Sequence, residues 1–292
     1  MKHLFFFLFG LLSLTAHADS FENYLREKEQ NVSHKQHLPY ILSHGHKTQV
    51  SVLFIHGIFS SPFYFRQVAE SFYKKGYNVV TILLPGHWGK DIYDMKSTTS
   101  NSWSAEADRG YEFARTLGDR VILAGHSLGG LLSIEQAIKR PASEVVGVFL
   151  MSPALAIKPV VLTACRAGKQ FRLDGNTFTL SKPDGKNIPW FAPRAALLIQ
   201  ELYLRVKYLD LNVPMYLAYT WNDPVVRVNT LKTFKYDVQT HNKKVRIYSL
   251  TSGVAHANIG QGSQDHPTYP VAAANWDFDN MMIEGMSFLA QF

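Results

Sequence analysis

A serine flanked by glycines is the feature of this chain that most directly suggests chemistry. In VILAGHSLGG, from Val121 to Gly130, Ser127 follows one apolar run and precedes another. Glycine-x-serine-x-glycine arises by chance about 0.1 times in a chain of this length, so the motif alone is only moderately informative. Its flanks predict a strand, a tight turn and a helix, which together present a serine hydroxyl above a sheet. Ser127 is therefore the predicted nucleophile.

A serine hydroxyl is a weak nucleophile at neutral pH and needs a base beside it. Three histidines follow the serine in the chain: His241, His256 and His266. His241 precedes the last predicted strand, whereas His256 lies just beyond its carboxyl end, where catalytic groups collect in open α/β sheets. We therefore predict His256 as the base, with His266 as the alternative.

The base in turn needs an acid that orients it. Asp210 precedes its predicted strand and Asp237 lies in a helical segment, while Asp223 closely follows the apolar run VPMYLAYT. Asp223 is therefore the predicted acid. The alternative interpretation is a helix or turn cap, a common use of the Asn-Asp-Pro sequence found here.

Elements that would position these residues can be read from the hydrophobic pattern. Apolar runs of strand length alternate with longer segments of helical pattern, which predicts an α/β fold: a mainly parallel sheet with helices on both faces. The predicted strands are Val50–Ile55, Tyr77–Leu83, Arg120–Ala124, Val145–Met151, Val213–Tyr219 and Val245–Leu250. The predicted helices lie near Phe21–Gln30, Phe63–Lys75, Trp103–Leu117, Leu128–Lys139, Val228–Thr240 and Asp277–Ala290.

One gap interrupts this alternation. About residues 153–212, five prolines break the segment, which is too long for a single crossover helix. We interpret it as a cap inserted over the sheet. Within it, Pro193–Lys207 has apolar and charged residues on different helical faces.

The first 18 residues have the pattern of a secretory signal peptide. Lys2 precedes the apolar stretch Leu4–Leu14, and Ala-His-Ala ends at Ala18. The stretch is shorter than the roughly 20 residues of a membrane-spanning helix. We expect export, to the periplasm or the exterior, of a single domain covering residues 19–292. Cys165 is the only cysteine, so no intramolecular disulfide is expected.

The ordered motifs resemble those of the α/β-hydrolase superfamily, and within it capped esterases and lipases such as monoacylglycerol lipases, carboxylesterases and serine aminopeptidase-like proteins. The resemblance covers roughly residues 50–290. It rests on FIHGIFSSPFYF, LLPGHWGKD, GHSLGG, WNDPVV and GVAHANI, in the family's order. It implies an α/β-hydrolase fold with an inserted cap and a triad of Ser127, Asp223 and His256.

The resemblance also implies an oxyanion hole formed by the backbone N–H groups of Ile58 and Leu128. His56 and His126, next to these motifs, are expected to be structural neighbours. The family's Pro-Gly-His-Gly turn is interrupted here by Trp88, which leaves the shape of the substrate site open. The residues expected to contact substrate are Phe59, Trp88, Trp190 and Phe191. No metal or other cofactor is expected, since His87 has no second ligand at suitable spacing.

Charge bears on the substrate and partners. The chain has a formal net charge of +7, and residues 154–209 hold nine basic side chains against three acidic ones. An aminopeptidase needs acidic groups for its substrate's amino terminus, so this composition favours acyl esters, including monoglycerides or lysophospholipids, and peripheral contact with anionic membranes. Nucleic acid is not expected as a partner. Acyl transfer, peptide hydrolysis and a non-catalytic exported binding protein remain alternatives, and the oligomeric state stays open.

Overall fold

The structure of the chain is a computed structural model. The structure describes residues 21–58, 60–91, 94–155, 163, 179–181, 187–189, 192–221, 223, 225–242, 244–250, 256, 275 and 277–292. In these residues the strands are β1 (Ile41–Leu42), β2 (Thr48–Ile55), β3 (Asn78–Ile82), β4 (Gly118–His126), β5 (Val145–Met151), β6 (Thr179–Ser181), β7 (Asn187–Pro189), β8 (Met215–Thr220) and β9 (Val245–Leu250).

Seven of these strands form one sheet in the order β1-β3-β2-β4-β5-β8-β9. Strand β1 pairs antiparallel with β3, and all the other pairs in this sheet are parallel. Strands β6 and β7 form a separate antiparallel pair. The mainly parallel sheet that the apolar runs predicted is thus confirmed, with β1 as an added edge strand.

Helices cover both faces of the sheet. They are α1 (residues 21–31), α2 (Arg66–Lys74), α3 (Ser100–Leu117), α4 (Leu128–Lys139), α5 (Ala192–Arg205), α6 (Val228–His241) and α7 (Phe278–Leu289). Alternate residues of the strands divide the core between the faces: Leu53 and Ile55 pack with side chains of α1, α3 and α4, while Val52 and Phe54 pack with α2 and α7. Burial on both faces explains why these strands read as continuous apolar runs.

Most predicted boundaries agree with the structure. Strands Val145–Met151 and Val245–Leu250 and helix Leu128–Lys139 match residue for residue. The predicted helix Phe63–Lys75 is instead a 3-10 turn, Pro62–Phe65, followed by α2. Proline at the first position of the turn suits a helix start, because the N–H it lacks has no intrahelical partner there.

Parallel pairing brings the carboxyl ends of six strands, β3, β2, β4, β5, β8 and β9, to one edge of the sheet. Ile55 at the end of β2 pairs with Gly125, and His126 at the end of β4 pairs with Met151. Thr220 at the end of β8 pairs with Leu250 at the end of β9. The segments that follow these strands therefore begin beside one another, which is where an α/β sheet places a site.

Helix α5 lies within the predicted cap and contacts helices α3 and α4. The Arg205 guanidinium donates to Ser104 Oγ at 2.8 Å and to Glu135 Oε1 at 3.1 Å. Arg194 donates to the carbonyl of Thr98 at 2.9 Å. Two arginines of α5 thus hold this helix against the part of the chain that forms the sheet and its covering helices, here called the sheet domain. The cap as a unit stays a prediction, and the signal peptide 1–18 lies outside the described residues.

Candidate active site

Ser127 occupies a sharp turn between β4 and α4. Its backbone has φ 53° and ψ −116°, a conformation that is costly for a residue with a Cβ. The side chain is 2% exposed, and the N–H donates to the carbonyl of Met151 at 3.0 Å. The strand, turn and helix predicted around Ser127 are present, and the turn holds the serine at the shared edge of the sheet.

The glycines on either side of Ser127 are required for space. A Cβ on Gly125 would lie 2.3 Å from the carbonyl oxygen of Gly129. A Cβ on Gly129 would lie 1.9 Å from the carbonyl oxygen of Ile55. The start of α4 therefore packs directly on the end of β2, which any larger residue at position 129 would force apart.

Three predicted site residues lie in one hydrogen-bonded row. His256 Nε2 is 3.0 Å from Ser127 Oγ, and His256 Nδ1 is 2.6 Å from Asp223 Oδ2. The second oxygen of Asp223, Oδ1, accepts the N–H groups of Val225 and Val226, both at 2.8 Å. An Nδ1–H that donates to Asp223 leaves Nε2 as an acceptor for the serine proton.

The environment of Asp223 keeps its carboxylate ionised. The residue is 1% exposed, and burial by itself would raise its pKa. The hydrogen bond from His256, the attraction of the imidazole when charged, and the two backbone N–H groups outweigh burial, so the pKa lies below its ordinary value. The acid is therefore a fixed negative charge suited to stabilise an imidazolium.

Backbone N–H groups border the serine on two sides. Leu128 is the first residue of α4, and the first N–H groups of a helix have no partner within it. Gly57 lies against the serine, since a Cβ added to it would be 3.2 Å from Ser127 Cβ. The Gly57 carbonyl lies 2.7 Å from His56 Nδ1 and accepts the Ser60 N–H at 3.2 Å.

A planar trans peptide points its N–H opposite to its carbonyl. The contacts that hold the Gly57 carbonyl therefore also fix the direction of the Ile58 N–H. Leu84 N–H donates to His56 Nε2 at 3.0 Å, so the proton of this neutral imidazole is on Nδ1, which donates to the Gly57 carbonyl. His56 is thus a structural neighbour that orients the peptide, as expected.

The chain is similar to known proteins in both sequence and structure. The model of the alpha/beta hydrolase family matches residues 52–278, most of the chain and all the strand ends described above. The chain belongs to the alpha/beta hydrolase family. The fold class and the resemblance inferred from the sequence motifs are confirmed.

Curated relatives of this chain include two from Bacillus. A thermostable monoacylglycerol lipase of a Bacillus species is 30% identical over 152 residues, which is 52% of this chain and 60% of the lipase. The phospholipase YtpA of Bacillus subtilis is 29% identical over 107 residues, which is 37% of this chain and 41% of the phospholipase. The chain therefore matches less than two thirds of the length of either relative.

Solved structures share the fold of this chain. One from a study of LipS and LipT, two metagenome-derived lipolytic enzymes, superposes with a TM-score of 0.63 at 20% identity, covering 87% of this chain and 97% of that one. The monoacylglycerol lipase of Paleococcus ferrophilus gives a TM-score of 0.60 at 16% identity, covering 87% and 98%. At such identities the likeness concerns the fold alone.

His126 has a contact that the motif did not specify. Its Nε2 is 2.7 Å from the backbone carbonyl of His256, so Nε2 carries the proton and donates to that carbonyl. Burial, followed by the charge of His256, lowers the pKa of His126 to about 3. His126 is therefore a neutral imidazole that donates a hydrogen bond to the backbone carbonyl of His256. The position of His126 beside Ser127 in the sequence predicted a structural neighbour, but nothing in the sequence identified the His256 carbonyl as its hydrogen-bond partner.

Trp88 is a largely buried side chain. It is 7% exposed, and its indole N–H donates to the carbonyl of Ser60 at 3.1 Å. Its predicted contact with substrate stays a prediction. Phe59, Trp190 and Phe191, the other predicted substrate contacts, lie outside the residues whose side chains the structure describes.

The residues that the strand-end argument excludes, His241, Asp210 and Asp237, lie away from the row. His241 is exposed at the end of α6. On the same helix, Asp237 accepts the Tyr208 hydroxyl at 3.1 Å, and Asp210 lies in a 3-10 turn before β8. His266 is outside the described residues. The position of each residue relative to the end of its strand therefore predicted which side chains meet in the structure.

The described part of the chain contains neither a candidate metal-binding cluster nor a candidate membrane-spanning helix. Among the described residues, no group of three or more His, Cys, Asp or Glu side chains is placed to hold a metal ion. Within the same residues, no helix has both the length and the apolar character needed to cross a bilayer.

Proposed function

We propose that this chain is a serine carboxylic ester hydrolase. The observation that carries the proposal is the row from Ser127 Oγ through His256 to Asp223, with distances of 3.0 Å and 2.6 Å. These lengths fall within the range expected for a nucleophile, its base and the acid that orients the base. The family, the strained serine and the neighbouring backbone N–H groups support the same reaction class.

In the proposed mechanism, Ser127 Oγ attacks the ester carbonyl carbon while His256 Nε2 takes the hydroxyl proton. The carbonyl electron pair moves to oxygen, and the N–H groups of Ile58 and Leu128 donate to this oxyanion. The intermediate collapses to an acyl-enzyme as His256 gives the proton to the leaving alcohol. Asp223 stabilises the imidazolium in both steps.

Water then attacks the acyl-enzyme in the same way. His256 takes a proton from the water, and a second oxyanion forms against the same N–H groups. Its collapse breaks the bond to Ser127 Oγ and returns the proton to it, which releases the carboxylic acid. Transfer to another alcohol would use the same residues, so the acceptor decides between hydrolase and acyltransferase.

For the substrate we propose acyl-lipid esters, including monoglycerides or lysophospholipids. The names of the two Bacillus relatives support this class, and so does the excess of basic residues over acidic ones in 154–209. Arg194 and Arg205 are already bound to the sheet domain, so peripheral contact with an anionic membrane falls to the other basic residues of the segment. Export after cleavage near Ala18 is part of the proposal.

The decisive experiment measures hydrolysis of p-nitrophenyl esters from acetate to palmitate by the full chain and two variants. Ser127→Ala removes the nucleophile and should abolish turnover, while Ser133→Ala removes another buried serine of the same region and should retain it. A fluorophosphonate should label the wild type and the Ser133 variant only. No turnover at any chain length, together with no labelling of Ser127, would refute the hydrolase proposal and favour a binding protein.

Two additions to this experiment address the substrate and export. Monoglycerides, lysophospholipids and an aminoacyl amide, assayed in parallel, separate an acyl-lipid esterase from a peptidase, and release of free acid rather than a new ester separates hydrolysis from acyl transfer. Expression of the full chain in a Gram-negative host should give a protein outside the cytoplasm that begins at Asp19. Cytoplasmic protein retaining residue 1 would refute export.

A further inference from the structure

Two features that the family resemblance leaves unexplained contact each other in the structure. One is Trp88, which interrupts the family's turn, and the other is the His-rich segment before β2. The ring of His37 stacks on the indole of Trp88, with centroids 3.4 Å apart and planes 18° apart. His37 is fully buried and Trp88 is 7% exposed. The pair is thus an internal contact between the N-terminal arm, defined as residues 21–42, and the turn after β3.

Both members of the pair reach the loop that follows the Ile58 N–H. The Trp88 indole N–H donates to the Ser60 carbonyl at 3.1 Å. His37 Nδ1 is hydrogen-bonded to Ser61 Oγ at 2.8 Å. Two consecutive residues of the loop are therefore held, one through its backbone and the other through its hydroxyl.

Ser60 connects this anchorage to the candidate oxyanion hole. Its N–H donates to the Gly57 carbonyl at 3.2 Å, and the same carbonyl accepts from His56 Nδ1. Since the Gly57–Ile58 peptide is planar, a displacement of Ser60 would remove one of the two contacts that fix the Gly57 carbonyl and, with it, the direction of the Ile58 N–H. Preorganised donors are effective because they need no rearrangement when charge develops.

Trp88 is itself fixed by the arm. Its carbonyl accepts the Ser33 N–H at 2.7 Å, and the next residue, Gly89, forms a bridge with Val32. Its backbone has φ 56°, in a region that bulky residues rarely occupy. The surrounding contacts therefore determine the position of the indole rather than its local backbone preference.

From these contacts we infer that Trp88 and His37 are positioning residues for the oxyanion hole: they hold the Ser60–Ser61 loop so that the Ile58 N–H faces the serine. The inference rests on the proposed ester hydrolysis and adds to it a role for the N-terminal arm, all of which lies before the family match that begins at residue 52. It also assigns Trp88 a role in turnover that differs from contact with substrate.

The test compares Trp88→Phe with Trp103→Phe in the full chain. Both changes keep an aromatic ring and remove a buried indole N–H, since Trp103 donates to the Pro85 carbonyl at 3.1 Å, outside the Gly57–Ser61 loop. We expect Trp88→Phe to lower kcat about tenfold, a fraction of the loss of 10²–10³ for a missing donor, with KM changed by less than about twofold. Trp103→Phe should keep the wild-type kcat, even if its unfolding midpoint falls.

Inhibition by a transition-state analogue is a second measurement, and it reports directly on the oxyanion hole. A trifluoromethyl ketone adds to the serine and places a negative oxygen where the oxyanion forms, so its inhibition constant should rise in Trp88→Phe by about the same factor as kcat falls. A role in fold stability alone would leave both quantities unchanged in the folded variant. A role in binding substrate would raise KM instead. Either result would overturn the inference.

Ser61→Ala gives a test that does not depend on the folding of Trp88→Phe. It removes the hydroxyl that His37 contacts and leaves the indole in place. We expect a smaller fall in kcat, about threefold, with the same weakening of ketone binding. An unchanged kcat in either folded variant contradicts the inference. If wild type itself has no turnover, the proposed function fails first, so the two failures are distinguishable.

Discussion

His126 is a buried histidine that we expect to make the protein sensitive to acid. It is 5% exposed, and burial followed by the charge of His256 lowers its pKa from 6.5 to about 3. Its hydrogen bond to the His256 carbonyl and the charge of Asp223 oppose this shift only in part. Between these two values the unfolded chain binds more protons than the folded one. Stability therefore falls as the pH decreases through this window.

The size of the effect follows from the two pKa values. One pH unit of displacement corresponds to about 1.4 kcal/mol, and pH 5 lies about 1.5 units below the ordinary pKa of histidine. His126 should therefore lower the free energy of unfolding by about 2 kcal/mol between pH 7 and pH 5. His126→Gln removes the titration, while the amide nitrogen can take the place of Nε2 and donate to the His256 carbonyl.

Urea unfolding followed by tryptophan fluorescence at pH 7 and pH 5 measures this difference. In His126→Gln, the loss of stability between the two pH values should be about 2 kcal/mol smaller than in wild type. His241→Gln removes an exposed histidine at the end of α6 and should match wild type within about 0.5 kcal/mol. An equal loss in wild type and His126→Gln would refute the assignment of a buried, neutral His126.

Three other substitutions test the site. Asp223→Asn should lower kcat by about 10³–10⁴-fold, because asparagine favours the wrong tautomer of His256; a kcat near wild type would contradict the role of the acid. Ser127→Gly should be more stable to urea than Ser127→Ala by about 1 kcal/mol, because glycine tolerates φ 53°; the reverse order would argue against strain. Gly129→Ala should reduce turnover more than about 10²-fold and cost about 1–3 kcal/mol, since its Cβ meets the Ile55 carbonyl; unaltered kinetics would refute this close approach.

Sequence reasoning predicted the three side chains that meet in the structure, because each of them lies beyond the end of a strand. Ser127, Asp223 and His256 were chosen because each follows an apolar run, and parallel pairing brings those ends to one edge. The prediction required only the hydrophobic periodicity and the order of the helices and strands, both of which can be read directly from the local sequence. For the same reason His241, which precedes its strand, was rejected.

Contacts between distant segments escaped this reasoning. The stacking of His37 on Trp88 joins residues that are separated in the chain by three strands, and hydrophobic periodicity does not reveal it. The attachment of Arg205 to Glu135 is similar: helical spacing placed Arg205 on a charged face but could not distinguish solvent from a buried carboxylate. Polar contacts of this kind depend on tertiary position, so their partners become evident only once the elements are packed.

Close backbone approach is the reason that such distant contacts matter for the chemistry. Gly57, Gly125 and Gly129 all have negative φ, so they serve to leave space rather than to permit an unusual conformation. Without side chains between them, the end of β2 and the start of α4 lie in contact beside Ser127, as the proposed donation by the Ile58 and Leu128 N–H groups requires. The α4 donor is fixed by a twelve-residue helix, whereas the Ile58 donor belongs to a loop. The loop therefore needs external support, and His56 on one side and Trp88 with the N-terminal arm on the other provide it.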